Sequence, residues 1–240
     1  MCHGAAVRAF PPVTAGTPFE GDVSGFAWGP ESGARRIAIL PDIYGCTPFY
    51  RGLAAHFAEK GARALLVDTF AEFGDLPEHT RDAAFARRNK VRDKSFVDRF
   101  ESFAHSRGIT GVIGFCLGSL YVFELARRAV PVNLIGLYGF PQGLPNQDPL
   151  PVPFDYLPRV TQRFTTLFGR EDGAVGTSNI AQLEALAPKV PAMALKIYEG
   201  VGHNFLPLVD SEDARERSVG DDALAICDRV LLESAPAKHG

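Results

Sequence analysis

Gly111-Val-Ile-Gly-Phe-Cys-Leu-Gly-Ser119 is the stretch on which the fold turns. Val112 to Phe115 is a short apolar run that reads as a buried strand, and a helix-like run from Ser119 to Arg128 follows at once. Between them stands Cys116, flanked at two residues on either side by Gly114 and Gly118. A reactive side chain at the tip of so tight a strand-to-helix turn needs neighbours without side chains, so that strand and helix can close on each other. This is the pattern of a nucleophile elbow, with cysteine where serine is commoner. Unpaired N–H groups at the start of the helix favour a thiolate over a thiol at that position.

The rest of the chain repeats the alternation of strand and helix. Apolar strands are predicted at 36–42, 62–68, 133–139, 163–169 and 193–199 in addition to 111–115, with helices at about 49–60, 177–187 and 212–233. One or two short opening strands are expected within 5–28. Near-continuous apolar strands separated by helices predict an α/β fold with a mostly parallel sheet covered on both faces, in a single domain of 240 residues. Charged helix residues such as Lys60 and Glu124 are expected at the surface, and Trp28 and the stretch from Pro141 to Pro158 are candidates to line a pocket.

Composition narrows the function. The net charge of −3 gives no global field for nucleic acid, and no window approaches the roughly 20 apolar residues of a membrane span. The start, Met1-Cys-His-Gly4, lacks a basic region followed by an apolar run, so a cytoplasmic location is expected. Cys2, Cys46, Cys116 and Cys227 are too far apart for a Cys-x-x-Cys site, and no metal is expected. Oligomeric state is expected to be a monomer or a small homo-oligomer.

In a parallel sheet the site lies at the carboxyl ends of the strands. Asp42, Cys116, Asp172 and His203 all fall just past predicted strands. Cysteine, acid and histidine come in the chain order of an α/β-hydrolase, at 116, 172 and 203. The chemistry assigns each a part: the thiol attacks, the imidazole takes its proton, and the carboxylate fixes the imidazole's tautomer and steadies its charge. Glu171 is the next acid in line should Asp172 not be the partner.

Four motifs together, Asp42-Ile-Tyr-Gly45, Gly114-Phe-Cys-Leu-Gly118, Gly169-Arg-Glu-Asp-Gly-Ala-Val175 and Gly202-His-Asn-Phe205, resemble those of the dienelactone hydrolases, or carboxymethylenebutenolidases. The resemblance spans about residues 36 to 230. It implies a hydrolase that opens an enol-lactone or a carboxylic ester through a thioester, without metal or organic cofactor. It also implies an oxyanion hole formed by the backbone amides of Leu117 and Ile43. Two departures from the family pattern bear on the substrate. The family's glutamate, which contacts the resting thiol, is Asp42 here, and this residue either serves in the same way or caps its own loop. The arginine that usually follows the histidine is absent from Asn204-Phe-Leu-Pro-Leu208.

A basic segment, 81–99, carries seven positive against three negative residues and is read either as an anion-drawing patch or as a solvated helix face. Within it Arg81 and Phe85 are similar to an arginine and aromatic pair of the family, and with Tyr44 they are the expected substrate contacts. The reaction classes that remain are dienelactone hydrolysis, a broader carboxylesterase or thioesterase activity on neutral acyl groups, and a silent hydrolase-fold binding protein.

Overall fold

A computed structural model describes residues 4–12 and 14–233. Eight strands form one sheet: β1 (Thr17–Phe19), β2 (Gly25–Trp28), β3 (Arg36–Leu40), β4 (Arg63–Val67), β5 (Gly111–Phe115), β6 (Asn133–Leu137), β7 (Phe164–Gly169) and β8 (Met193–Tyr198). Their order in space is β1-β2-β4-β3-β5-β6-β7-β8. The β1–β2 and β2–β4 pairings are antiparallel and every other pairing is parallel. The mostly parallel sheet is the one expected from the alternation of elements, and the arrangement is that of an α/β-hydrolase. No helix among the described residues is long and apolar enough to cross a membrane.

The longer helices are α1 (Pro48–Glu59), α2 (Arg81–Arg88), α3 (Asp93–Ser106), α4 (Leu117–Arg127), α6 (Thr177–Leu186) and α7 (Ala214–Asp228), with α5 (Pro153–Tyr156) a single turn. Local chemistry sets their ends. Pro48 opens α1, where its missing N–H has no helical partner to lose. Thr80 caps α2 by accepting from the Ala83 N–H, and Asp213 caps α7 by accepting from Arg215 and Glu216. The central strands are buried on both faces, with Ile37 to Leu40 and Val112 to Phe115 removed from solvent.

Two surface expectations change in the folded chain. Glu124 is only 1 % exposed, because α4 lies between the sheet and α3 and α5 and is buried over nearly its whole length. Its carboxylate is instead met by Arg127 and Arg128, one turn on, at 2.7 Å each. Lys60 is exposed as expected and pairs with Asp228 at 3.2 Å. The basic segment divides: Arg81, Lys90, Arg92, Lys94 and Arg99 lie on the surface, as a solvated helix face would have them, whereas Arg87 and Arg88 are buried. Arg88 is buried against Asp93 at 2.5 Å, Lys94 pairs with Asp98, Arg99 with Glu72, and Arg87 is buried beneath the 42–45 loop. The segment from Pro141 to Pro158 is tied to the start of α3 through Asn146 and Asp148, and Trp28 is a buried strand residue bonded to Thr14.

Candidate active site

Cys116 sits at the junction of β5 and α4 with φ 54° and ψ −108°, a backbone geometry that costs a non-glycine residue energy and persists only where packing enforces it. The enforcement is visible on both sides. A Cβ on Gly114 would lie 2.2 Å from the Gly118 carbonyl oxygen, and one on Gly118 would lie 2.0 Å from that of Leu40. Only glycine lets the elbow close on itself and on the end of β3. The Cys116 N–H donates to the Leu137 carbonyl at 3.0 Å, which ties the tip to β6.

Asp172 and His203 are brought together from the ends of β7 and β8. The imidazole Nδ1 lies 2.7 Å from Asp172 Oδ2. The other carboxylate oxygen, Oδ1, accepts from the N–H groups of Ala174 at 2.9 Å and Val175 at 3.0 Å, so the carboxylate is held rigidly and Asp172 is fully buried. Glu171 does not compete for the histidine: its Oε1 accepts from the Gly200 N–H. The Tyr138 ring meets the imidazole edge to face at a centroid distance of 4.9 Å, and Phe140 approaches from 6.1 Å. Tyr138 also packs on Phe115, the residue before Cys116.

The loop after β3 completes the cluster. Asp42 is fully buried, and its Oδ1 accepts from the Tyr44 N–H at 2.8 Å, so one of its oxygens does cap its own loop. Tyr50, from α1, accepts from the Asp42 N–H at 3.2 Å. Burial raises the Tyr50 phenol well above its usual range, and the nearby Asp42, Tyr138 and Cys116 add to the effect. That mutual influence puts Asp42, Tyr50, Cys116 and Tyr138 in one neighbourhood. Tyr44 stacks on His79 with the rings 6.2 Å apart and nearly parallel. Arg81 and Phe85 lie on α2 and pair with each other, guanidinium to ring centroid 5.3 Å, with Phe85 41 % exposed.

Among the described residues no three His, Cys, Asp or Glu side chains converge as a metal site. The other thiols differ from Cys116 in place. Burial pushes the Cys46 and Cys227 thiols far above their ordinary value, while Cys2 lies outside the described residues.

A model of the Dienelactone hydrolase family matches residues 23–228. The chain belongs to the dienelactone hydrolase family. It is accordingly a hydrolase acting on ester bonds. Carboxymethylenebutenolidase 2 of Cupriavidus pinatubonensis is 44 % identical over 233 residues, covering 97 % of this chain and 99 % of that one. A carboxymethylenebutenolidase of Rhodococcus opacus is 34 % identical over 176 residues, 71 % of this chain and 69 % of its own. In fold, the crystal structure of a candidate dienelactone hydrolase from Klebsiella pneumoniae superposes with a TM-score of 0.73 at 17 % identity, covering 92 % of this chain and 97 % of the other.

Sequence reasoning about this family member missed Tyr50 and Tyr138, and counted Arg87 only among the basic residues of the 81–99 segment. Tyr138 had a usable signal, since it lies at the carboxyl end of the strand predicted at 133–139, the side where the site lies. Tyr50 and Arg87 sit within helices, and nothing in their local sequence points inward.

Proposed function

We propose that this dienelactone hydrolase family member opens an enol-lactone or carboxylic ester by covalent catalysis, with Cys116 as nucleophile, His203 as proton acceptor and Asp172 as the acid that orients it. The observation that carries the reading is the 2.7 Å contact between His203 Nδ1 and an Asp172 carboxylate that two backbone amides hold in place. A proton fixed on Nδ1 leaves Nε2 free to accept one from the thiol. The thiolate then attacks the carbonyl carbon, and the N–H groups of Leu117 and Ile43 bind the developing oxyanion. The tetrahedral species collapses to a thioester with loss of an alkoxide or enolate. Water activated by the imidazole adds to the thioester and releases the acid and the free enzyme.

A small lactone as substrate is supported by the carboxymethylenebutenolidases to which the chain is 44 % and 34 % identical. Tyr44, Arg81 and Phe85 are assigned to its distal end, the exposed guanidinium of Arg81 being suited to an anionic group. Asp42 is assigned both the loop cap and a place beside the thiol. The missing arginine in Asn204–Leu208 favours, as a second reading, turnover of neutral acyl groups. The reading requires no cofactor or macromolecular partner and fits a cytoplasmic protein of one domain, monomeric or in a small homo-oligomer.

The test is steady-state hydrolysis of a carboxylate-bearing dienelactone beside a neutral nitrophenyl ester, for wild type and Cys116→Ala. Preference for the dienelactone and loss of both activities in the variant are expected. Turnover of the neutral ester alone would move the substrate to the second reading, and an active Cys116→Ala would remove the mechanism.

A further inference from the structure

The loop from Asp42 to Gly45 has four backbone N–H groups, and three of them are engaged. Asp42 donates to the Tyr50 hydroxyl at 3.2 Å, Tyr44 to Asp42 Oδ1 at 2.8 Å, and Gly45 to the Asp42 carbonyl at 3.1 Å. The N–H of Ile43 has no hydrogen-bond partner among the described residues. A loop this tightly bonded that leaves one amide open holds that amide for something else.

The Ile43 and Tyr44 carbonyls of the same loop are met from α2. Nη2 of Arg87 donates to the carbonyls of both Ile43, at 3.4 Å, and Tyr44, at 3.1 Å. Nη1 donates to the Gly74 carbonyl at 3.1 Å, and the guanidinium lies 4.2 Å from the centre of the Phe70 ring. Arg87 is 8 % exposed, and the loop is shaped to admit it. A Cβ on Gly45, whose φ is +78°, would lie 3.3 Å from Nη2. The Ile43–Tyr44 peptide is therefore gripped at its C=O by a cation and at its N–H by the Asp42 carboxylate. The following peptide is gripped in the same way, at its C=O by Arg87 and at its N–H by the Asp42 carbonyl. With both peptides after Ile43 locked, the direction of the Ile43 N–H is set.

We propose that Arg87 is a positioning residue for the oxyanion hole: it touches no reacting atom but aims the Ile43 amide by holding the carbonyl side of its loop. The assignment rests on the reading of Ile43 N–H as an oxyanion donor. A planar fork with several donors bridges two carbonyls and a third partner, which a lysine ammonium reaches only as a point charge. Loss of one oxyanion donor costs about 10²–10³ in rate, and a misplacement of about 1 Å costs about 10².

The experiment uses Arg87→Met, which keeps the stem against Phe70, and Arg87→Ala, with kcat and KM for the ester, melting temperature, and the rate of Cys116 alkylation by iodoacetamide. Alkylation displaces iodide at a saturated carbon and builds no oxyanion. Expected for Arg87→Met is a fall in kcat of about 10² with KM little changed and alkylation at the wild-type rate. Added guanidinium in sub-denaturing amounts is expected to restore part of the Arg87→Ala activity, where sodium chloride at equal ionic strength does not. A wild-type kcat, a rise in KM alone, or a parallel fall in kcat, alkylation and melting temperature each overturns the proposal. Those failures are distinct from failure of the thioester mechanism itself, which would appear as activity in Cys116→Ala.

Discussion

Asp172→Asn puts the sharpest strain on the proposed chemistry, because the structure dictates which way the new amide must face. In the wild type, Oδ1 accepts from two backbone N–H groups and Oδ2 faces the imidazole. An asparagine keeps those two bonds only if its oxygen replaces Oδ1 and its NH₂ replaces Oδ2. The opposite rotamer would set an NH₂ against two N–H donors, of which the buried Val175 N–H would be left unsatisfied at about 1–3 kcal/mol. The NH₂ therefore faces His203 Nδ1, which must give up its proton to accept from it. The imidazole proton then resides on Nε2, the nitrogen meant to receive the thiol proton. By analogy with triad acids elsewhere, kcat should fall by about 10³–10⁴, equivalent to about 4–5.5 kcal/mol of transition-state stabilisation. The side chain is isosteric and its site intact, so the melting temperature should move little. With the base disabled, residual activity should climb with pH towards the range of a free thiol, about 8.5. The measurement is a pH–rate profile of both enzymes with Glu171→Gln as control, since Glu171 engages Gly200 and should be dispensable. A variant within about tenfold of wild type and with the same profile would refute the reasoning.

Gly118→Ala places a methyl group 2.0 Å from the Leu40 carbonyl, so the start of α4 and the end of β3 must part by more than 1 Å; stability should drop by about 1–3 kcal/mol and kcat by about 10². Urea unfolding and steady-state rates check both, and an unchanged pair would mean that the elbow is slack. Asp148 anchors the start of α3 by accepting from the Ser95 hydroxyl at 2.6 Å and its N–H at 3.0 Å, and these bonds hold its carboxyl below the usual range. A lowered acid stabilises the fold above its unfolded value of about 3.9 and loses that contribution as pH falls through the folded one. The melting-temperature difference between wild type and Asp148→Ala should accordingly be full at pH 7 and shrink on acidification below about 4.

The parts of this protein that local chemistry controls were readable in order along the chain. Apolar runs of strand length, glycines where no side chain fits, and a cysteine, an acid and a histidine after successive strands led to the sheet and to the 172–203 contact. Strand bounds came out slightly shorter than expected: β6 ends at Leu137, where Tyr138 turns to φ 43°. The elbow helix begins at Leu117 rather than Ser119, directly at the cysteine. Charge placement was readable only in part: Lys60 is exposed as expected, but the rule that charges lie outside holds only for a helix with an outside. α4 is covered on several faces, so Glu124 is buried and drew two arginines to it. Arg87 and Arg88 belong to a helix that looks solvated by composition, yet one clamps the 42–45 loop and the other meets Asp93 in the interior. Asp42 as written is an acid at a strand end whose turn bond to Tyr44 is local, but the phenol of Tyr50 meets its amide only once α1 has packed on the sheet. The amino-acid order by itself determined which reactive groups reach the carboxyl edge of the sheet. Tertiary packing alone decided how those groups are oriented, because orientation depends on partners that lie far apart in the chain and meet only when the apolar faces between them leave water.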